Sequence, residues 1–529
     1  MCCPPLSRQP PPRAGTLTAA ACPIRRYHSG CYNDNSTLCF GCVESHAASL
    51  AKANCSSFEE QEFCSSHHYH EVECEPPNPS DVHLEKRPPV ILIPPLSGSF
   101  MDWKMVNRKQ KHFVCKRNED WIEFFPPTVA MAAPLLADCY FDDASLDYDS
   151  KTDIYSYPEG VEIRVNMTLE SQCDVDPNPA KAAFTNTRTS FGCVCKNLQA
   201  MGYTRYQDLR VYPYDWRLGP GNWMAKGGFY EQLQAYIEKQ YSESSNTPVT
   251  AIGFSLGSPV FALFLQQFVE AAWREKYISS FVSLSGTFGG TAETVLNQLQ
   301  LGGEGGPPIP WALKPEFAAE QTYGSFSWMS AILPPTSLLA TAGSTVRYTA
   351  AQLPVRSTPD SLLRKPQPIS LTELTRGWSQ EMFEAAGWGR VSQQLAGAAK
   401  YSVYEPIGVE THVIYGLGSD TPSSFHFPLK PDGTANFSAP CHYDYQLAAM
   451  AEAGEDVSQR CTVATAPGDD TGTLESLVGV PQGWAKNQSE PIHFLELKNL
   501  GHDDTQKSPV AMAYLRGVLV NTSKHMVRG

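Results

Sequence analysis

The chain has 529 residues, enough for one large catalytic domain with a smaller appendage. Its 42% hydrophobic and 18% charged residues are typical of a globular protein, and they exclude a chain that is disordered throughout. A net charge of −14 argues against a nucleic-acid partner and against binding of anionic lipid by a polybasic segment. The sequence contains no window of 18 or more apolar residues, so no transmembrane segment is predicted.

The first part of the chain is rich in cysteine. Nine of the 16 cysteines lie in the first 74 residues, a density typical of disulfide-bonded proteins in an oxidising compartment. Asn-x-Ser/Thr sequons support the same compartment; they begin at Asn35, Asn54, Asn166, Asn436, Asn487 and Asn521. We therefore expect a glycoprotein that is secreted or lumenal in the secretory or endolysosomal pathway, although the N-terminus shows no clear signal peptide.

Composition divides the chain into four parts. They are a disordered N-terminus (1–21), a Cys-rich accessory module (22–75), a linker (76–87) and a catalytic domain (88–529). Disulfides are the favoured interpretation of the Cys-rich module. A zinc site is the alternative, but only one Cys-x-x-Cys occurs there, at Cys39 and Cys42, without a second pair.

Two segments of the catalytic domain predict the site-bearing sheet. The apolar run from Val90 to Ile93 is typical of a strand in a parallel sheet that is covered on both faces. The stretch 247–269 reads as strand, Gly-x-Ser-x-Gly and helix, so Ser255 is a candidate nucleophile at a sharp turn. This turn aims the N–H of Leu256 at an oxyanion. The alternative is a chance occurrence of the pattern.

A segment between two cysteines is unusually aromatic. Cys115 and Cys139 enclose it, and it carries Trp121, Phe124 and Phe125. The segment is either part of the hydrophobic core or an apolar flap that contacts a lipid surface.

Charged residues among aromatics follow at positions 202–219. We expect Asp208, Arg210, Asp215 and Arg217 to form a paired, buried polar cluster, and only as the weaker alternative a catalytic role for Asp215.

A further strand and a glycine-containing segment follow the Ser255 turn. The strand at 277–284 completes a strand-helix-strand unit, which predicts a parallel crossover and an α/β fold. Glycines flank aromatic residues in the stretch 291–345, which predicts a lid or, alternatively, a cap that is permanently packed.

An activated serine needs a histidine base and an acid that orients it. His502 follows a strand across a short loop and precedes the last helix, which is where the base of such a fold belongs. Candidate acids lie in glycine-containing turns at Asp420, Asp469 and Asp470, and spacing does not separate Asp469 from Asp470.

Several motifs together resemble one family. They are PPVILIPP, GYTRYQDLRVYPYDWR, GFSLG, KYISSFVSLSGTFGG, YGLGSDTPSSF, GDDTG and LGH. They resemble the lecithin:cholesterol acyltransferase family, which includes the lysosomal phospholipase A/transacylase and the phospholipid:diacylglycerol acyltransferases. The resemblance covers about 88 to the C-terminus. It implies an α/β-hydrolase fold with a mostly parallel sheet and cap and lid insertions.

The resemblance also implies roles for individual residues. Ser255 matches the nucleophile, His502 the base, and Asp469 the acid, with Asp470 as its rival. The backbone N–H groups of Leu96 and Leu256 match the oxyanion hole.

Two segments of this chain also match insertions of the family. Cys115 and Cys139 match the disulfide that closes a membrane-binding loop, here 115–139, with Trp121 on it. The stretch of about 291–345 matches the lid. One departure is Phe254, which replaces the histidine usual before the serine.

The predicted function is that of a lipid O-acyltransferase or phospholipase A that acts through an acyl-enzyme. The expected partners are a phospholipid membrane or lipoprotein-like surface and a lipid acyl acceptor such as a sterol, with water as the competing acceptor. No cofactor and no metal are predicted. The alternatives are an esterase on soluble esters and a non-catalytic lipid-binding protein on a hydrolase fold.

Overall fold

The structure is a computed structural model that describes most of the catalytic domain. The described residues are Leu84, 87–110, 112–125, 134–166, 173, 191–292, 294, 323–331, 347–350, 369–370, 389–428, 439, 441–443, 447, 450–451 and 454–528. The predictions for 1–83 and for the larger part of the lid, 291–345, lie outside these residues.

Sixteen strands occur within the described ranges. They are β1 (Val90–Ile93), β2 (Met101–Met105), β3 (Glu119–Phe125), β4 (Asp147–Asp149), β5 (Ile154–Ser156), β6 (Val161–Val165), β7 (Leu209–Val211), β8 (Val249–Phe254), β9 (Ile278–Leu284), β10 (Arg347–Ala350), β11 (Ile369–Ser370), β12 (Thr411–Leu417), β13 (Ser419–Phe427), β14 (Cys441–Tyr443), β15 (Cys461–Gly468) and β16 (Ile492–Lys498).

The helices of the same ranges lie mainly between these strands. They are α1 (Pro134–Ala144), α2 (Gly192–Ala200), α3 (Pro220–Met224), α4 (Phe229–Glu243), α5 (Gly257–Leu263), α6 (Ala271–Tyr277), α7 (Gly324–Ala331), α8 (Gly389–Ala398), α9 (Val480–Asn487) and α10 (Pro509–Arg528), with π-helical turns at Phe264–Phe268 and Glu475–Gly479. None of the described helices combines the length and apolar character needed to cross a bilayer.

A six-stranded sheet organises the domain. Its strand order is β16-β12-β9-β8-β1-β7, and all five pairings between neighbours are parallel. The predicted α/β class with a mostly parallel sheet is therefore confirmed. Because the carboxyl ends of parallel strands meet at one edge, the loops after β1, β8, β9, β12 and β16 gather there.

Helices cover both faces of this sheet. Ile91 and Ala251 pack in a cluster with α4 and α5, whereas Leu92 and Ile252 pack in a second cluster with α2 and α10. Successive side chains of a strand point to opposite faces, so these two clusters lie on opposite sides of the sheet. Burial on both faces explains why the run Val90–Ile93 is apolar at every position.

The segment closed by the Cys115–Cys139 disulfide contains β3, which pairs with β2 in a separate three-stranded antiparallel sheet. Phe124 of this strand is buried. Its ring centroid lies 4.9 Å from that of Trp103, and the guanidinium of Arg217 lies over the ring. The prediction of Phe124 as a lipid contact is therefore wrong, because β3 turns this side chain into the core.

Other residues of the segment remain at the surface. Trp121 is half-buried, with the guanidinium of Arg164 4.4 Å from its ring centroid. The side chain of Phe125 lies outside the described residues. Ile122, which follows Trp121 in β3, is exposed to 41%, so the segment has an exposed apolar side chain, although Phe124 is not exposed.

Asp215 and Arg217 form a buried ion pair under this segment. Arg217 donates from Nη2 to Asp215 Oδ2 at 2.6 Å and from Nη1 to the carbonyl of Ala144 at 2.9 Å. This pair was predicted, but Asp208 does not belong to it: Asp208 pairs with Arg87 near the surface instead. Since the Arg217 guanidinium occupies both carboxylate oxygens of Asp215, the geometry favours a structural role.

These two pairs give a test of what burial contributes to stability. We expect Arg217→Met to lower the free energy of unfolding by about 3–5 kcal/mol, because it leaves Asp215 as an uncompensated buried charge. Arg87→Met, the matched change at the exposed pair, should cost about 1 kcal/mol or less. Urea unfolding of both variants measures the difference, and equal effects would contradict the assigned burial.

Candidate active site

The chain reverses sharply at Ser255, between β8 and α5. Ser255 has φ = 52°, a left-handed conformation that is unfavourable for residues other than glycine. Its N–H donates to the carbonyl of Leu284 in β9 at 3.0 Å, and its own carbonyl accepts the N–H of Ser258 at 3.0 Å. The turn is therefore held by the neighbouring strand and by the first residues of α5.

Both glycines of the Gly-x-Ser-x-Gly pattern are required by close backbone contacts. A Cβ at Gly253 would lie 2.8 Å from the Cα of Ser258, and a Cβ at Gly257 would lie 2.1 Å from the carbonyl oxygen of Ile93. Real Cβ atoms do not approach backbone this closely, so a side chain at either position displaces the turn.

A buried histidine-carboxylate pair lies at the same edge of the sheet. His502 follows β16, and its Nδ1 is 2.8 Å from Asp469 Oδ2. The backbone N–H of His502 also donates to the carbonyl of Asp469 at 2.7 Å. The two contacts fix the position of the imidazole ring relative to the loop after β15.

The structure distinguishes the three candidate acids. The Asp469 carboxylate is fully buried and accepts the N–H of Gly472 at 2.7 Å. Asp470 has φ = 77° and accepts the hydroxyl of Thr471 at 3.0 Å. Asp420 lies exposed in β13. Asp469 is the carboxylate that contacts the histidine.

The environment of His502 raises the basicity of its imidazole ring. Burial lowers the pKa of the His502 imidazole, but the charge of Asp469 and its hydrogen bond outweigh burial and raise that pKa to about 9. The second ring nitrogen, Nε2, is buried and has no hydrogen-bond partner among the described residues. An unpartnered nitrogen on a ring held by a carboxylate is suited to accept and return a proton.

Phe254 connects the histidine to the turn. Its side chain is buried, and its ring centroid lies 5.3 Å from that of His502. Ser255 is the next residue along the chain, so the structure brings the turn and the Asp469–His502 pair together at one site. The hydroxyl of Ser255 does not form a hydrogen bond with Nε2 in this conformation. The packing of Phe254 against His502 was not predicted from the sequence.

Two backbone amides were predicted to stabilise an oxyanion. Leu256 is the N-cap residue of α5, and the first amides of a helix have no acceptor within it. The loop after β1 touches the same turn, because a Cβ at Gly257 would lie 2.7 Å from the carbonyl oxygen of Pro94. Leu96 is two residues further along this loop and is half-buried. Their role as donors stays a prediction.

Comparisons with known proteins show the family of the chain. A family profile described as Lecithin:cholesterol acyltransferase matches residues 127–516, well over half of the chain. The chain belongs to the lecithin:cholesterol acyltransferase family. The resemblance carried by the sequence motifs is thus confirmed, as are the α/β-hydrolase fold and the class of enzyme, a lecithin:cholesterol acyltransferase-like acyltransferase or phospholipase.

Curated relatives match over most of their length. The chain is 28% identical over 436 residues to "Lysosomal phospholipase A and acyltransferase" of Rattus norvegicus, covering 82% of this chain and 91% of that protein. The Homo sapiens protein of the same name is 26% identical over 442 residues, with 82% and 91% covered. "Phosphatidylcholine-sterol acyltransferase" of Homo sapiens is 25% identical over 437 residues, with 82% and 84% covered.

The close contacts at the turn predict the effect of adding one methyl group. Gly257→Ala should lower the free energy of unfolding by about 1–3 kcal/mol, because its Cβ overlaps backbone that cannot rotate away. Gly517→Ala is the control: nothing lies within 4 Å of its Cβ position in α10, so we expect no loss and a gain of up to about 1 kcal/mol. Urea unfolding distinguishes the two, and a neutral Gly257→Ala would contradict the described packing.

Proposed function

We propose that this protein cleaves an acyl ester of a phospholipid and passes the acyl group to a lipid hydroxyl or to water, through a Ser255–His502–Asp469 triad. The observation that carries the proposal is the buried Asp469–His502 pair, whose unpartnered Nε2 lies on a ring packed against Phe254, next to Ser255. The strained turn and the family membership supply the remaining support.

In the first half-reaction the Ser255 hydroxyl attacks the ester carbonyl while His502 Nε2 takes the hydroxyl proton. Asp469 stabilises the imidazolium that forms, without taking a proton itself. The tetrahedral intermediate then collapses: the imidazolium returns the proton to the leaving alcohol, which departs as a lysophospholipid, and the acyl group stays on Ser255.

The oxyanion of that intermediate needs preorganised donors. The N–H groups of Leu96 and Leu256 are the proposed ones, and each is worth about 3 kcal/mol of activation free energy. Gly257 supports this role indirectly, because it lets the loop after β1 approach the turn.

In the second half-reaction the hydroxyl of an acceptor attacks the acyl-enzyme while His502 Nε2 takes its proton. The proton then returns to the Ser255 oxygen, which leaves, and the acyl group stays on the acceptor. The names of two relatives support the choice of acceptor: one is a phospholipase A and acyltransferase, and the other is a phosphatidylcholine-sterol acyltransferase. A sterol or a similar lipid alcohol is accordingly the proposed acceptor, with water in competition. Because the donor is a lipid, we also propose peripheral contact with a phospholipid surface around Trp121 and Ile122, and location in a lumenal or secreted compartment.

The central experiment offers both acceptors at once. The chain is incubated with phosphatidylcholine liposomes that contain a sterol, and free fatty acid and sterol ester are quantified. Ser255→Ala should lower the formation of both products by at least about 10⁴-fold. Ser242→Ala, at an exposed serine of α4, is the matched control and should keep full activity.

The products distinguish the alternatives. Retained deacylation in Ser255→Ala would contradict the serine mechanism. Turnover of soluble esters that does not increase with liposomal substrate would indicate a plain esterase, and absence of any turnover would indicate a lipid-binding protein.

A second test separates the two neighbouring aspartates. Asp469→Asn removes the charge that raises the pKa of His502, so the acidic limb of the kcat/KM pH profile should move to lower pH while the maximal rate falls by about 10⁴-fold. Asp470→Asn should change the rate by less than about threefold, since its carboxylate contacts Thr471. A larger loss in Asp470→Asn than in Asp469→Asn would contradict the assignment.

A further inference from the structure

A second histidine cluster lies at the other end of the sheet. It consists of Glu410, His412 and His493, at the amino ends of β12 and β16. Gly416, beside which Asp469 packs, is four positions after His412, so the cluster is about 13 Å from the Asp469–His502 pair along the strand. Neither the acyl-transfer mechanism nor the family match gives it a role.

The fold places the three side chains together by strand register. His412 and His493 are direct partners in the parallel pairing of β12 with β16, and their rings stack with centroids 4.6 Å apart. Glu410 precedes His412 by two residues, so the strand period directs both side chains to one face. The carbonyl of Glu410 accepts the N–H of Phe281 at 2.9 Å, which holds this segment against β9.

The ligand atoms have the separation of a zinc coordination sphere. Glu410 Oε1 lies 3.5 Å from His412 Nε2 and 3.2 Å from His493 Nε2. Ligands about 2.0–2.1 Å from a tetrahedral zinc ion lie about 3.4 Å from one another. One ligand atom of each of the three residues lies within 4.8 Å of the other two.

The surroundings also match a metal site. His412 Nδ1 is 3.0 Å from the hydroxyl of Tyr514 in α10, and such a partner orients the ring so that Nε2 faces the ion. His412 is buried, whereas Glu410 and His493 are roughly half exposed, which leaves an entry path and a fourth position for water.

We propose that Glu410, His412 and His493 bind one Zn²⁺ ion, with water as the fourth ligand. Two imidazoles and one carboxylate favour zinc over Ca²⁺ or Mg²⁺, which prefer oxygen ligands alone. The ion joins the edge strand β16 to β12 and, through Tyr514, to α10. It therefore stabilises the strand that leads to His502, and the proposal does not depend on the acyl-transfer reaction.

The test is zinc binding by the full, disulfide-bonded chain after dialysis against a chelator. Calorimetric titration with ZnCl₂ should show one equivalent bound by the parent chain that is lost in His493→Gln and in Glu410→Gln. Tyr514→Phe should keep the equivalent but bind it about 10–100-fold more weakly. Zinc should raise the Tm of the parent and leave that of His493→Gln unchanged.

His112→Gln is the matched control, because His112 is a similarly exposed histidine that also lies beside a carboxylate, Asp138. It should bind zinc as the parent does. Zinc held elsewhere, at His502 or by cysteines, is common to all variants and cancels in the comparison. Equal stoichiometry and affinity in the parent and His493→Gln would overturn the proposal, as would a parent chain that binds no zinc.

Discussion

The left-handed backbone at Ser255 is the constraint on which the site depends. The turn joins the end of β8 to the start of α5 without a longer loop between them. The N–H of Ser255 donates to the carbonyl of Leu284, and this hydrogen bond holds the turn against β9. This conformation is costly for a serine, and it persists because strand, helix and the end of β1 hold it from three sides. The same geometry presents the hydroxyl and the first amides of a helix at one point.

The sheet brings the loops that carry His502 and Asp469 to that turn. Since its six strands are parallel, the loops after β8 and β16 end at one edge, and the loop after β15 joins them through the Asp469–His502 contacts. The hydroxyl of Ser285 donates a hydrogen bond to the hydroxyl of Thr505 at 2.8 Å, which connects the loop after β9 to the loop that carries His502. The side chains of the proposed triad, which are far apart in sequence, are thereby placed by rigid elements.

Some elements could be predicted from the local sequence pattern alone. The apolar run at Val90–Ile93, the glycine-bracketed Ser255 and the loop position of His502 each depend on a few neighbouring residues, so the sequence predicts them. The choice of Asp469 over Asp470 depends on backbone dihedrals that spacing does not specify.

Tertiary packing accounts for what sequence could not predict. Phe124 lies in a segment whose aromatic content suits a lipid surface equally well, and only the pairing of β3 with β2 and the contact with Arg217 turn it inward. Phe254 contacts His502 across the sheet, which requires the positions of two distant segments.

The proposed mechanism requires that an acyl group resides on Ser255 during turnover. The most direct measurement is peptide mass mapping after the enzyme is mixed with phosphatidylcholine carrying an isotope-labelled acyl chain and quenched in acid within the first turnover. We expect the added mass of the acyl chain on the peptide that contains Ser255. Acylation of a different residue, or product formation without any acylated peptide, would contradict it.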